Sequence, residues 1–280
     1  MSNILQAILN IEKEESTHLA EIKSGANRIN NMGEALEVFV KSAFANALDE
    51  TDADVIADKY DATFSYGGNA NNIPDAMISG GDAIEVKKIE SFNSGIPLNS
   101  SYPKDKLYAD DHRVNQTCRS SESWSVKDMI YAIGVVQQHH LKHLWLIDGA
   151  CYAAERETYA RIEQTISSGV NEIADVEFSI TKELGRVNKV DPLGITYLRI
   201  RGMWHIENPS KVFQQAYIIN QKKEFSLAAI MRKSKYDAMP ESDKQAVEEH
   251  ANIEVKPIKI QNPNNPVKRL EAVLITVEKP

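Results

Sequence analysis

The sequence predicts one α/β domain with a strand-rich C-terminal elaboration. Apolar residues recur at helical spacing through the first fifty positions. Short β-like runs broken by a Gly-Gly turn follow between Tyr60 and Ile89. Strand-like runs and shorter helical patterns then continue to the C-terminus, with no internal repeat, low-complexity tract or clear linker.

Ile4, Leu5, Ile8, Leu9, Ile11 and Leu19 predict an N-terminal helix within residues 3–22, which Ser24-Gly25 would end. A stronger helix is predicted over residues 32–48, because Leu36, Val40, Ala43, Phe44 and Ala47 gather on one face at about 100° per residue. Residues 63–66, 75–78 and 83–89 read as strands, and Ser79-Gly80-Gly81-Asp82 reads as the tight hairpin turn joining the last two. Residues 91–124 are polar and irregular, with Pro97, Asn99 and Pro103, and a loop of that length in a compact domain is read as a working loop. Apolar runs resume over residues 129–136 and 144–147, the second a buried strand before Asp148-Gly149, and a helix is expected over 155–173. Further runs occupy 195–201, 225–231, 253–260 and 273–277, with a short helix near 242–250. The division predicted within the single domain (1–280) is a catalytic core of about 28–175 and an elaboration of about 176–280.

The 280 residues carry 32 Lys plus Arg against 40 Asp plus Glu, a formal charge of −8, so no chain-wide positive field draws in nucleic acid and any anionic partner must meet a local basic patch. Two cysteines, Cys118 and Cys151, are too few for a disulfide framework and lack the paired spacing of a structural zinc site, which suits a reducing, cytoplasmic setting. The N-terminus has no basic leader, and no run approaches the roughly 18 apolar residues of a membrane span, so neither export nor a membrane partner is expected.

One arrangement has residue types, spacing and local structure that serve a single chemistry: Pro74-Asp75, nine intervening residues, then Glu85-Val86-Lys87. On a strand, residues i and i+2 share a face about 6.5 to 7 Å apart, so Glu85 and Lys87 point together while Val86 turns to the core. The Gly80-Gly81 turn can fold Asp75 back beside Glu85. Two adjacent carboxylates repel, and one tends to keep its proton unless a divalent cation sits between them. Magnesium suits that position, since it takes one or two carboxylates, keeps waters and accepts phosphate oxygens. Lys87 then stands where a cation can hold an attacking water or stabilise charge growing on a phosphodiester. The bare tripeptide is common by chance and recurs at Glu254-Val255-Lys256, but the later copy has no Pro-Asp and no Gly-Gly hairpin before it, and Pro257 is expected to interrupt its strand.

Together with the segments Arg28-Ile-Asn-Asn-Met-Gly-Glu-Ala-Leu-Glu37, Leu98-Asn-Ser-Ser-Tyr-Pro-Lys104 and Leu198-Arg-Ile-Arg-Gly-Met-Trp204, this motif makes the chain resemble the PD-(D/E)xK nuclease superfamily, and within it the NgoPII-type type II restriction endonucleases. The resemblance covers about residues 28–210. It implies a central mixed sheet flanked by helices, and a homodimeric, Mg2+-dependent enzyme that cuts double-stranded DNA at a short palindrome, with GGCC as the family's type target. It also implies that Asp75 and Glu85 are the metal ligands and Lys87 the catalytic lysine. A cognate DNA methyltransferase would be a genetic rather than a physical partner. Superfamily enzymes often add a glutamate from the preceding helix, and Glu37 is the candidate; the alternative is a solvated glutamate paired with Lys41 at i+4. A structure-specific nuclease of the same fold and a non-catalytic DNA-binding module are the rival functions.

Lys87, Lys88, Lys104, Lys106, Arg113 and Arg119 concentrate positive charge within and after the hairpin, where a phosphate backbone would lie. Asn99, Ser100, Ser101 and Tyr102 add neutral donors and acceptors for phosphates or base edges. Arg199 and Arg201 alternate along a β-like run, and arginine bidentate to O6 and N7 is the commonest specific reading of guanine. His139, His140 and His143 have zinc-compatible spacing only if helical and lack a third ligand nearby, and Gly67-Gly68 reads as a turn. Trp124, Trp145 and Trp204 are expected to pack rather than to stack on bases.

Overall fold

The computed structural model describes residues 2–19, 28–69, 72–181 and 183–280. The stop expected at Ser24-Gly25 lies outside them. In chain order the elements are α1 (Ile4–Lys13), α2 (Arg28–Ala45), α3 (Ala53–Thr63), β1 (Phe64–Tyr66), β2 (Ala76–Ile78), β3 (Ala83–Ile89), β4 (Ile96–Asn99), β5 (Lys106–Tyr108), α4 (Gln116–Ser120), β6 (Val126–Gln137), β7 (His140–Asp148), α5 (Arg156–Asn171), β8 (Glu177–Phe178), β9 (Gly185–Asn188), β10 (Leu198–Ile200), β11 (Trp204–Ile206), α6 (Pro209–Val212), β12 (Phe225–Arg232), α7 (Lys233–Asp237), α8 (Glu241–Glu248), β13 (Ile253–Asn262) and β14 (Asn265–Lys279). Among the described residues nine strands form one mixed sheet in the order β1-β2-β3-β6-β7-β12-β14-β13, with β5 against β6. The β3/β6 and β7/β12 pairs are parallel, which leaves the remaining neighbours antiparallel.

The sheet has a core on each face. Ile84, Ala132, Leu146 and Ala229 point toward α1, α2, α7 and α8 through Ile8, Leu36, Tyr236 and Val247. Ala83, Tyr131, Trp145 and Ile230 point the other way, onto Ile96, Leu107, Cys118 and Phe213. This division follows from alternation: successive residues of one strand serve opposite faces. Both faces of β6, β7 and β12 are covered, so these strands read as unbroken apolar runs rather than alternating ones.

Several differences from the sequence reading have identifiable causes. Helix α3 has no buried residue and therefore little apolar periodicity; its signal is Asp52, whose side chain accepts from the Asp54 and Val55 amides as an N-cap. β12 pairs with β7 and brings β14 and β13 into the main sheet. Pro257 does not interrupt β13, which pairs only with β14; an edge strand tolerates a residue without an amide donor. His139 and His140 lie at a β6–β7 hairpin turn with Gln138 and His139 at φ 50° and 66°, not on a helix. His143 is fully buried, with Nδ1 2.7 Å from Ser226 Oγ. Both cysteines are free and buried, and Trp145 is fully buried in the second core. Among the described residues no helix is long and apolar enough to cross a membrane.

Candidate active site

Asp75 ends the chain segment entering β2, and its amide donates to Ile84 O at 3.0 Å while its Oδ2 accepts from the Val86 amide at 2.6 Å. The β2–β3 hairpin therefore folds Asp75 against the strand that carries Glu85 and Lys87. The turn is gripped from outside: Lys127 Nζ donates to Ile78 O and Gly81 O at 3.1 and 2.7 Å, Glu122 accepts from the Gly80 amide at 2.8 Å, and Asp82 pairs with Lys235 at 2.7 Å. Along β3, Ile84 and Val86 pack toward the helical layer, whereas Glu85 and Lys87 share the opposite face with Ala83 and Ile89.

Glu85 is 5 % exposed, and its Oε1 accepts from Lys87 Nζ at 2.5 Å. Among the described residues its Oε2 is buried with no hydrogen-bond partner. A buried carboxylate oxygen without a donor is costly unless a proton or cation meets it. Burial and the neighbouring Glu85 carboxylate push Asp75 up to about 7, so near neutrality this carboxyl competes between a proton and any other cation. Burial works against the Lys87 ammonium, but the carboxylates of Glu85 and Asp75 outweigh it and hold its pKa above the ordinary lysine value. Two carboxylates, one with an unused oxygen, are oxygen donors that fit a hard divalent cation, while the Lys87 ammonium is not a ligand but a neighbouring positive charge. Among the described residues no group of three or more His, Cys, Asp or Glu converges.

The three side chains open into a cavity of about 430 Å³ that is also lined by Asn99, Ser100, Ser101, Arg113, Glu163, Glu183 and Arg201. Arg201 thus reaches the same cavity from β10's end, although more than a hundred residues separate it from Lys87 in sequence. Arg199 and Arg201 converge on one carboxylate: Arg199 makes two hydrogen bonds to Glu183, at 2.6 and 2.9 Å, and Arg201 Nε donates to Glu183 Oε1 at 2.5 Å. Both remain exposed, Arg201 by 61 % of its side chain.

The other candidate residues divide. Glu37 sits on the groove that Asp75, Lys87 and Lys88 also border, but its Oε1 is tied to Lys41 Nζ at 2.5 Å, and Lys41 donates as well to Gly67 O at 2.6 Å. Burial raises the Glu37 pKa against the pull of Lys41. Lys88 faces that groove and pairs with Glu90 at 2.8 Å. Lys104 is not the exposed cation that its place in a polar loop suggests. It is 4 % exposed, pairs with Asp111 at 2.5 Å, and lies 4.0 Å from the Tyr102 ring centre. Burial holds its pKa below the ordinary lysine value despite Asp111. Tyr102 is likewise buried, stacked on Tyr159 and edge-on to Trp204, and does not line the cavity that its neighbours Asn99, Ser100 and Ser101 border.

Sequence reasoning counted Arg113 among the basic residues near the hairpin but left Glu163, Glu183 and Gly68 out of the site. Arg113 lines the cavity, held by Glu163 at 2.5 Å, and Glu163 also accepts from Trp204 Nε1 at 3.2 Å. Glu183 pairs with both Arg199 in β10 and Arg201 just past it. Gly68 is more than a turn residue: at φ 85° it passes so close to Asp75 that a Cβ there would lie 2.8 Å from the Asp75 carbonyl carbon and nearer still to its oxygen. The only sequence signal for it is the Gly-Gly pair before Asp75; the others are single polar residues whose convergence is tertiary.

The NgoPII restriction endonuclease family model matches residues 2–262. The type II restriction enzyme NgoPII of Neisseria gonorrhoeae is 44% identical over 275 residues, covering 98% of this chain and 99% of that protein. No solved structure matches the chain. With a match of this length in both comparisons, the chain belongs to the NgoPII restriction endonuclease family and is a type II restriction endonuclease.

Proposed function

We propose that this enzyme hydrolyses phosphodiester bonds of double-stranded DNA at a short palindrome through Asp75, Glu85 and Lys87, with Mg2+ as cofactor and a PD-(D/E)xK-type core. The observation that carries the reading is the unpartnered, buried Glu85 Oε2 beside an Asp75 carboxyl that titrates near neutrality, both open to one cavity. Asp75 and Glu85 would hold the ion. When bound, such an ion supplies a water of lowered pKa and neutralises charge on phosphoryl oxygens.

The chain's own groups do the rest. Val86 N–H fixes the Asp75 carboxylate, and Asp75 gives up its proton as the site fills. Glu85 orients Lys87, whose ammonium stays charged and donates to the oxygen on which negative charge grows. Arg113, fixed by Glu163, offers a second cation to the phosphate backbone at the cavity wall. Glu37 is the outer acid of the set, acting through Lys41, and Lys88 supplies charge to the adjoining groove. Asn99, Ser100 and Ser101 line the cavity as neutral hydrogen-bonding groups. Arg199 and Arg201 read guanine, which agrees with GGCC, the target that the family resemblance suggests. A homodimer would treat both strands of a palindrome equally, and a cognate methyltransferase would protect the host's own sites.

Digestion of a plasmid with Mg2+ and then with EDTA tests the reading. Discrete fragments with Mg2+ alone, ending at GGCC, are expected. Random degradation, structure-dependent nicking or retardation without cutting would each overturn it.

A further inference from the structure

Helix α5 is sixteen residues long and contains no buried residue. Its inner side is occupied: Tyr159 stacks on Tyr102, Glu163 holds Arg113 and Trp204, and Val170 covers Gly185. Its outer side carries Arg161, Ile162, Ile166, Gly169, Glu172 and, just past the helix, Ile173. The three isoleucines are 41, 41 and 47% exposed. At about 100° per residue these positions fall within an arc of about 140°, so they form one face and not a scatter. A Cβ at Gly169 would meet nothing within 4 Å, which leaves room for another backbone to approach.

We propose that this face is where two copies of the enzyme associate, with α5 of the second copy packed antiparallel about a twofold axis between Ile166 and Ser167. The choice of a second copy rests on charge. Arg161 and Glu172 belong to the same face but lie about 16.5 Å apart along the axis, too far to pair within one helix. Neither joins an ion pair among the described residues. The stated twofold sets each Arg161 against the partner's Glu172, twice per dimer, with the isoleucines in the seam between. A polyanion would favour one sign of charge, whereas this face carries both.

The consequence for catalysis rests on the proposed function. Glu163, on the opposite side of the same helix, lines the catalytic cavity, so one helix thickness, about 10 Å, separates the cavity from the seam. Two cavities would then lie side by side, one for each strand of a duplex.

Sedimentation of the full chain over a range of concentrations, without DNA, tests the surface independently of cleavage. Arg161→Glu and Glu172→Arg are each expected to raise the dimer dissociation constant at least about tenfold by opposing like charges, and the double reversal to return it close to wild type. Rescue by the double variant can arise only between chains. A wild-type chain that stays monomeric, single variants with an unchanged dimer constant, or a double variant as weak as the singles would overturn the inference. Weaker DNA binding with an unaltered dimer constant would also overturn it, by making the face a DNA contact. A chain that dimerises this way yet never cuts DNA refutes the proposed function alone; one that cuts while its dimer ignores both swaps refutes this surface alone.

Discussion

Gly68→Ala tests whether backbone contact positions the catalytic acid. Residue 68 has φ 85°, where an L-residue other than glycine costs roughly 1–2 kcal/mol. The added methyl would stand 2.8 Å from the Asp75 carbonyl carbon, against about 3.5 Å for a relaxed carbon–carbon contact. The backbone at Asp75 must therefore move by roughly 0.7 Å or more, and its Oδ2 bond to the Val86 amide, now 2.6 Å, must lengthen or bend. A displacement near 1 Å at a reacting group costs on the order of 10²-fold in rate. Gly67→Ala is the matched control, since a Cβ there meets nothing within 4 Å. Single-turnover cleavage at saturating Mg2+, with urea unfolding of both variants, is the assay. A slowing of about 100-fold for Gly68→Ala, with Gly67→Ala close to wild type and both folded, is expected. Wild-type cleavage by Gly68→Ala, or equal slowing in both variants, would refute the positioning argument.

Asp75→Asn and Lys87→Ala should each abolish cleavage while leaving duplex binding measurable in a gel-shift assay, because most of the proposed DNA contacts are outside the trio; unimpaired cutting by either variant would remove it from the chemistry. Replacing Arg201 with alanine should weaken the preferred site relative to random DNA by about 1–3 kcal/mol if the contact is bidentate, as read by competition binding. A uniform loss across sequences would make it a phosphate contact. Burial holds His143 down to about 3 from its ordinary 6.5, so the folded state keeps it neutral; the stability this confers is fully present above pH 6.5 and is lost as pH falls toward 3. Relative to pH 7, roughly 2 kcal/mol should be gone at pH 5. Urea unfolding at the two pH values should show a change from pH 7 to pH 5 that is less favourable in wild type than in His143→Gln by about this amount, a difference in which the opposite contribution of the raised Asp75 carboxyl cancels.

Local pattern was enough to reveal the β2–β3 hairpin and the shared face of Glu85 and Lys87. A Gly-Gly turn sets the pairing of β2 with β3, strand alternation puts Glu85 and Lys87 on one face, and both are short-range consequences of residue order. The helix containing Leu36 and Val40 was legible for the same reason, since its buried stripe repeats every turn. Helix α3, lacking such a stripe, was not. The place of Lys104 was also hidden: a lysine among polar loop residues looks solvated, and only the fold brings Asp111 and the Tyr102 ring around it.

By itself, then, the sequence determined which residues can do chemistry and how the β2–β3 unit presents three of them, because spacing along one strand is a local property. Tertiary structure decided what surrounds them. It sets Gly68 against Asp75, turns Arg113 and Arg201 into the same cavity, joins the C-terminal strands to the main sheet and leaves the outer face of α5 uncovered. Apart from Gly68 and Asp75, which are seven residues apart, those contacts link segments tens of residues apart or more, and their geometry follows from how two cores pack on one sheet rather than from any local repeat.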